Sequence, residues 1–286
     1  MDKEYYNSLY DLQSQFQPRK ITNDDLKISP LVANEILAIG KRNSLVDSQE
    51  IELLNLLNSV APIFYDIGCY EAASKTYSIL SNIDYYLTET NKPELFVTYA
   101  EVFEKSNGQL AKTTVSIAVP SVVNNVSSVF MAHEVSHALK ETNPWECKLS
   151  YRLSEMIPML IELIAGYNKD KMAFKEVITG RFNLLFSEAY YFKKIFKEVS
   201  KYSNDKIPNY LYAALGSTVV YLNSFYYTVA FFRTYLSYPD TIIKYINLVL
   251  NNTLATEDII EDSINRGLIQ SFLEEYRKGM DFIKKI

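Results

Sequence analysis

The chain is poor in the residues that make turns and cross-links. Its 286 residues include only 8 Gly and 9 Pro, and so few turn formers favour long helices over many short strands. Two cysteines, Cys69 and Cys147, are too few and too far apart to staple a domain of this size, which points to reduced thiols. No run of Lys and Arg occurs, and the net charge is -5 with a pI near 5.3. Phosphate binding needs a clustered positive surface, so a nucleic-acid partner is excluded. The chain opens Met1, Asp2, Lys3, Glu4, Tyr5, Tyr6, with no basic start leading into an apolar stretch. A secretory signal peptide is therefore not expected, and the expected location is the cytoplasm.

What is present is the balance of a folded globular protein, with 48% hydrophobic and 22% charged residues. The length suits one large domain or two intimately packed ones. One stretch, Ile207 to Phe232, carries no charged residue and is long enough to cross a bilayer as a helix. It also carries Asn209, Ser217, Thr218, Asn223, Ser224 and Thr228, and so many polar groups fit a protein core better than lipid. No stable membrane insertion is expected.

From Asp2 to about Phe103 apolar residues recur at three- and four-residue spacing, as in Ile51, Leu54 and Leu57 and again in Leu80, Ile83 and Leu87, so several helices are expected there. Gly68 and the Asn91 to Pro93 segment read as breaks. Ser106 to Gly108 reads as a turn, and Thr113 to Val119 alternates larger apolar residues with small ones, the period of a strand closed by Pro120. Asn124, Asn125, Ser127 and Ser128 are candidate N-caps for a helix running to about Glu141 and stopped by Asn143 and Pro144. A further helix is expected from about Trp145 to Gly166, kinked at Pro158. Later breaks are expected at Asn204 and Asp205, at Ser237 to Asp240 and at Asn251 to Thr253.

The helix after the strand contains His133, Glu134, Val135, Ser136 and His137, an H-E-x-x-H pattern. Residues four apart share a helical face, so both imidazoles can reach one metal ion while Glu134 can take a proton from water beside it. The chain has 2 His in total and both lie in this motif. The plainer alternative is a pair of helix histidines without metal. With no third His, a third ligand must be a carboxylate or a thiolate. Downstream candidates are Glu141, Glu146, Cys147, Glu155 and Glu162, the first three too close to the helix end to fold back easily over an ion. Glu155 and Glu162, seven apart, lie on one face of the next helix. Glu155 is favoured as ligand and Glu162 as the acceptor that orients an imidazole, against the alternative that both are surface charges.

The segment Phe130 to Leu139 resembles the zinc helix of the oligoendopeptidase F and thimet oligopeptidase family of gluzincin metallopeptidases, with Ser136 where that family usually has Gly. Ser154 to Glu162 resembles the family's second helix, in which the first Glu binds zinc and another follows seven residues later. The resemblance implies one Zn2+ ion on His133, His137 and Glu155. It also implies that the strand containing Val115, Ser116, Ile117, Ala118 and Val119 is an edge strand that pairs with the backbone of a bound peptide, for which an unpaired edge is suited. The alternative is an ordinary sheet strand. Tyr221 to Tyr227 resembles the tyrosine-rich family segment whose phenols stabilise the tetrahedral oxyanion; Tyr226 and Tyr227 match best and Tyr221 less well. The connection between His137 and Glu155 is shorter than the family's, the histidine that commonly precedes the tyrosines is absent, and the chain is about half the usual length.

The expected architecture is a mainly α, gluzincin-like helical fold with a small antiparallel β-sheet beside the zinc-binding helix. An N-terminal helical region, 1–105, and a zinc-binding catalytic region, 106–286, are expected to enclose a cleft. The expected activity is zinc-dependent hydrolysis of short or unfolded peptides with Glu134 as base. The alternative is an inactive peptide- or protein-binding module that keeps the fold. Nothing in the residues bears on oligomeric state.

Overall fold

Ten helices and five strands follow one another along the residues described by this computed structural model, which are 21–43, 49–90, 92–104, 110–141, 153–202 and 207–286. The helices are α1 (Asn23–Ile39), α2 (Leu53–Asp66), α3 (Tyr70–Leu80), α4 (Ser127–Glu141), α5 (Met156–Lys169), α6 (Lys171–Val199), α7 (Asn209–Tyr235), α8 (Pro239–Leu250), α9 (Thr256–Asn265) and α10 (Phe272–Lys284). The strands are β1 (Gln49–Glu50), β2 (Asp84–Thr88), β3 (Val97–Glu104), β4 (Leu110–Pro120) and β5 (Val122–Val123). The protein is mainly helical, as its scarcity of Gly and Pro leads one to expect, with a small three-stranded sheet and a two-stranded pairing of β1 with β5 among the described residues. The turn expected at Ser106 to Gly108, the helix stop at Asn143 and Pro144, the candidates Glu146 and Cys147, and the break at Asn204 and Asp205 all lie outside the described residues. So does the expected regional boundary at 105 and 106.

The chain divides into two units, with the divisions falling inside α6 and α7. In the first, 1–41 with 184–223, α1 begins with a capping box in which Asp25 N donates to Thr22 Oγ1 (3.2 Å) and Thr22 N to Asp25 Oδ2 (2.8 Å). Buried Asn223 of α7 is satisfied on both sides, donating to Asp25 Oδ1 (2.8 Å) and accepting from Ser29 Oγ (2.8 Å). Polar residues in the uncharged stretch are thus used as partners within the protein. Among the described residues no helix is long and apolar enough to cross a membrane.

The second unit, 42–183 with 224–286, holds the sheet and the H-E-x-x-H helix. Its three-stranded sheet has the order β2-β4-β3, with β3 antiparallel to β4 and β2 parallel to it. The helical periodicity read from Asp2 to Phe103 fails beyond Leu80, because Asp84–Thr88 and Val97–Glu104 are strands. Both contain residues at home in strands, such as Tyr85, Tyr86, Val97 and Thr98, and β4 supplies the backbone partners that make extended structure the better choice. β4 itself forms as read, and Val115 to Val119 are buried on both faces.

Asn124 opens α4: its Oδ1 accepts from Val126 N (2.9 Å), and its N–H donates to Ser127 Oγ (2.8 Å). α4 packs against α2 and α5, and α5 is buried from Met156 to Gly166, with only its last three residues exposed. The expected start at Trp145 lies outside the described residues; α5 itself begins at Met156, which places Pro158 in its first turn. There its missing N–H removes no helical bond, so no kink is required. Gly180 sets how closely α6 approaches α4. A Cβ on it would stand 2.8 Å from Phe130 Cζ and 3.0 Å from Glu94 Cβ, so only a residue without a side chain permits this approach.

Candidate metal centre

His133 and His137 are one turn apart on α4, their ring centroids separated by 5.0 Å. Glu155 sits in helical conformation immediately before α5, and Glu162 follows two turns later on the same face. His133 Nε2, His137 Nε2 and a Glu155 oxygen all lie within 4.8 Å of one another. The individual separations are 3.2 Å between the two Nε2 atoms, 3.0 Å from His133 to Glu155 Oε2 and 3.4 Å from His137 to Glu155 Oε1. Donors held tetrahedrally about a zinc ion at ~2.0–2.1 Å would stand about 3.3–3.4 Å apart, so this donor set fits such an ion with small adjustments. Two imidazoles and a carboxylate are also the ligand chemistry of an open zinc site.

The rest of the site orients these donors. His133 Nδ1 is 2.8 Å from Glu162 Oε1, leaving Nε2 turned toward Glu155 and His137. Arg181 of α6 donates from Nε to Glu162 Oε2 (2.9 Å) and from Nη2 to Glu162 Oε1. Glu162 is fully buried and Arg181 nearly so. Ser136, where a glycine was the family expectation, is satisfied within α4 by donating to Ala132 O (2.7 Å).

The charges follow from these contacts. Burial opposes a proton on His133, and Arg181 opposes it too, yet the carboxylates of Glu162 and Glu155 outweigh both and push His133 up to about 9. Burial resists ionisation of Glu155, but His137 and His133 hold its carboxyl well below the usual range. Glu162 is likewise penalised by burial and kept ionised by Arg181 and His133.

Glu134 presents its Oε1 3.9 Å from His133 Nε2. Its other oxygen, Oε2, accepts a 2.7 Å hydrogen bond from Thr98 Oγ1 on β3. The base candidate is therefore held by one oxygen, while the other faces His133 and makes no hydrogen bond among the described residues.

The remaining expected site residues are placed as follows. Val115 to Val119 belong to β4, which is the middle strand of the sheet. It pairs with β2 through Ser116 to Pro120 and with β3 through Leu110 to Ala118. The edge-strand expectation is corrected accordingly: both sides of β4 are already hydrogen-bonded, and the outer edge beside α4 belongs to β3. Tyr226 packs on Tyr276 (centroids 4.6 Å) and Tyr227 on Phe272 (5.0 Å), both in α10. Burial raises the Tyr226 phenol, with Tyr227 adding to the effect and Arg277 opposing it. The side of α7 that meets α5 is marked by Thr228, whose Oγ1 donates to Met156 O (3.0 Å). At about 100° per residue Tyr226 lies about 160° around α7 from Thr228, and Tyr221 belongs to the first unit.

Two site residues, Arg181 and Thr98, escaped the sequence reading. Arg181 had one usable signal, a single charge in the otherwise uncharged run Val177, Ile178, Thr179, Gly180, Arg181, Phe182. Thr98 had none.

No family model matches the chain, and no curated protein matches it. Among solved structures it is similar to a protein from Chlamydophila abortus titled "putative peptidase", with a TM-score of 0.48 and 12% identity. That alignment covers 100% of this chain and 56% of the other, so the chain spans about half the length of the protein it is matched to.

Proposed function

We propose that the protein is a zinc-dependent peptidase acting on short or unfolded peptides, with His133, His137 and Glu155 as metal ligands and Glu134 as general base. The observation that carries this reading is the convergence of three ligand atoms within 4.8 Å, with Glu134 Oε1 3.9 Å from the His133 donor. When bound, the ion supplies an electrophile that acidifies water and polarises a peptide carbonyl. Glu134 Oε1 takes the proton from the attacking water and returns it to the leaving amide nitrogen. Thr98 keeps Oε2 occupied, so one oxygen does both transfers. The outer edge of β3, which has no strand partner among the described residues, offers backbone groups to an extended peptide in place of the edge expected of β4. A cytoplasmic location and peptide partners complete the proposal.

The test is zinc content and hydrolysis of quenched fluorescent peptides by the wild type and Glu134→Gln. The variant should keep its zinc and lose about 10²–10⁴-fold in kcat, the usual worth of a positioned base. A zinc-loaded wild type that binds peptides and cleaves none would make the protein a binding module. Efficient cleavage of an intact folded protein would end the restriction to short or unfolded chains.

A further inference from the structure

We propose that Arg181 is a positioning residue for the metal site, locking the Glu162 carboxylate so that His133 must hold its proton on Nδ1 and present Nε2 to the ion. The inference rests on the metal reading of His133, His137 and Glu155 and extends it by a third layer of residues.

The geometry is a relay of three side chains from three helices. Arg181 reaches both oxygens of Glu162, through Nε to Oε2 at 2.9 Å and through Nη2 to Oε1. Glu162 Oε1 then stands 2.8 Å from His133 Nδ1. Arg181 Nη2 is itself 3.2 Å from that same Nδ1. A guanidinium carries donors and no acceptor. At that contact it can only donate, which would need a bare Nδ1; the shorter contact, 2.8 Å to a carboxylate that can only accept, is the one that places the hydrogen on Nδ1. A planar fork meeting a carboxylate through two bonds also fixes the carboxylate's rotation, which a single point charge would not do. Glu162 is entirely buried, so no solvent competes for its oxygens.

The fold provides for this contact. Gly180 precedes Arg181, and a side chain there would collide with Phe130, one turn before His133 on α4. The close approach of α6 to α4 is therefore tied to the residue next to Arg181. A guanidinium and a carboxylate buried together are costly to assemble, and replacing such a pair with apolar residues is frequently neutral or stabilising. Holding two helices together does not by itself call for a charged pair at this place. Fixing an imidazole does.

The test measures zinc affinity by competition with a chromophoric chelator, alongside ¹⁵N NMR of the imidazoles in the zinc-loaded protein. With 2 His in the chain, both rings can be assigned directly. Arg181→Met should weaken zinc binding by about 10–100-fold, the usual cost of removing an outer partner. The His133 Nδ1–H signal should lose its protection from exchange while that of His137 is unchanged. The double variant Arg181→Met, Glu162→Gln restores a neutral acceptor that needs no counter-charge, and it should bind zinc more tightly than Arg181→Met alone. If Arg181→Met does not fold, Arg181→Lys keeps the charge without the fork and should still weaken zinc binding several-fold. The inference is overturned if the folded variants bind zinc within twofold of wild type with the His133 signal intact, or if the double variant is weaker than Arg181→Met. Failure of the underlying metal reading looks different, because the wild type itself would then take up no zinc.

Discussion

Replacing Glu155 with Ala tests the metal site most directly. The substitution removes a carboxylate whose oxygens lie 3.0 Å from His133 Nε2 and 3.4 Å from His137 Nε2. Its backbone, with φ -81 and ψ -11, suits Ala without strain, so the change in zinc affinity should report the ligand and not a refolded segment. Four-ligand structural zinc sites bind with about 10–16 kcal/mol near neutral pH, or about 2.5–4 kcal/mol per ligand. One lost ligand therefore corresponds to about two to three powers of ten in Kd. Chelator competition near neutral pH, with elemental analysis of the dialysed protein, reads this loss, and circular dichroism confirms that the variant is folded. Glu162→Ala, measured beside it, should cost less, about 10–100-fold, since only the acceptor for His133 Nδ1 is lost. Zinc retained at wild-type affinity by Glu155→Ala but lost by Glu162→Ala would refute the ligand assignment.

Two further outcomes are expected. In protein stripped of metal with a chelator, His133 is raised from 6.5 to about 9, so its contribution to stability is complete below pH 6.5 and is lost as pH rises through about 9. Glu155 and Glu162 are depressed below 4.5, so theirs is present above that value and lost on acidification. Thermal melts of the metal-free protein should therefore fall on both sides of a maximum between about pH 5 and 6.5, and a melting temperature that climbs from pH 6.5 to 9 would contradict the sign. Thr98→Val removes the 2.7 Å bond that holds Glu134 and should lower kcat about tenfold with zinc content unchanged, since positioning errors act on the reaction and not on the ligands. Thr98→Ser should restore most of the rate, and equal rates for Val and wild type would dismiss Thr98 from the site.

Much of the site was legible because it is local. His133, Glu134 and His137 lie within one helical turn, where spacing alone decides which side chains share a face. Glu155 and Glu162 were legible as a pair for the same reason, being two turns apart in a stretch that is otherwise apolar. Arg181 reaches His133 across 48 residues of chain and Thr98 reaches Glu134 across 36. Contacts of that range depend on which helices and strands pack together, and neither residue announces its partner. Strands were harder than helices for a related reason. A helix satisfies its backbone within itself, whereas Asp84–Thr88 and Val97–Glu104 need β4 to do so, and their local spacing also fits a helix.

The amino-acid order by itself determined that the protein is mainly helical and which two imidazoles and which carboxylates could meet, because turn content and helical periodicity are properties of neighbouring residues. Only the tertiary structure decided that β4 lies inside its sheet and that Tyr226 and Tyr227 pack on α10. It alone decided that an arginine stands behind Glu162. Strand order, the choice between helix faces and the pairing of buried charges are all settled by burial and hydrogen-bond satisfaction across segments distant in the chain.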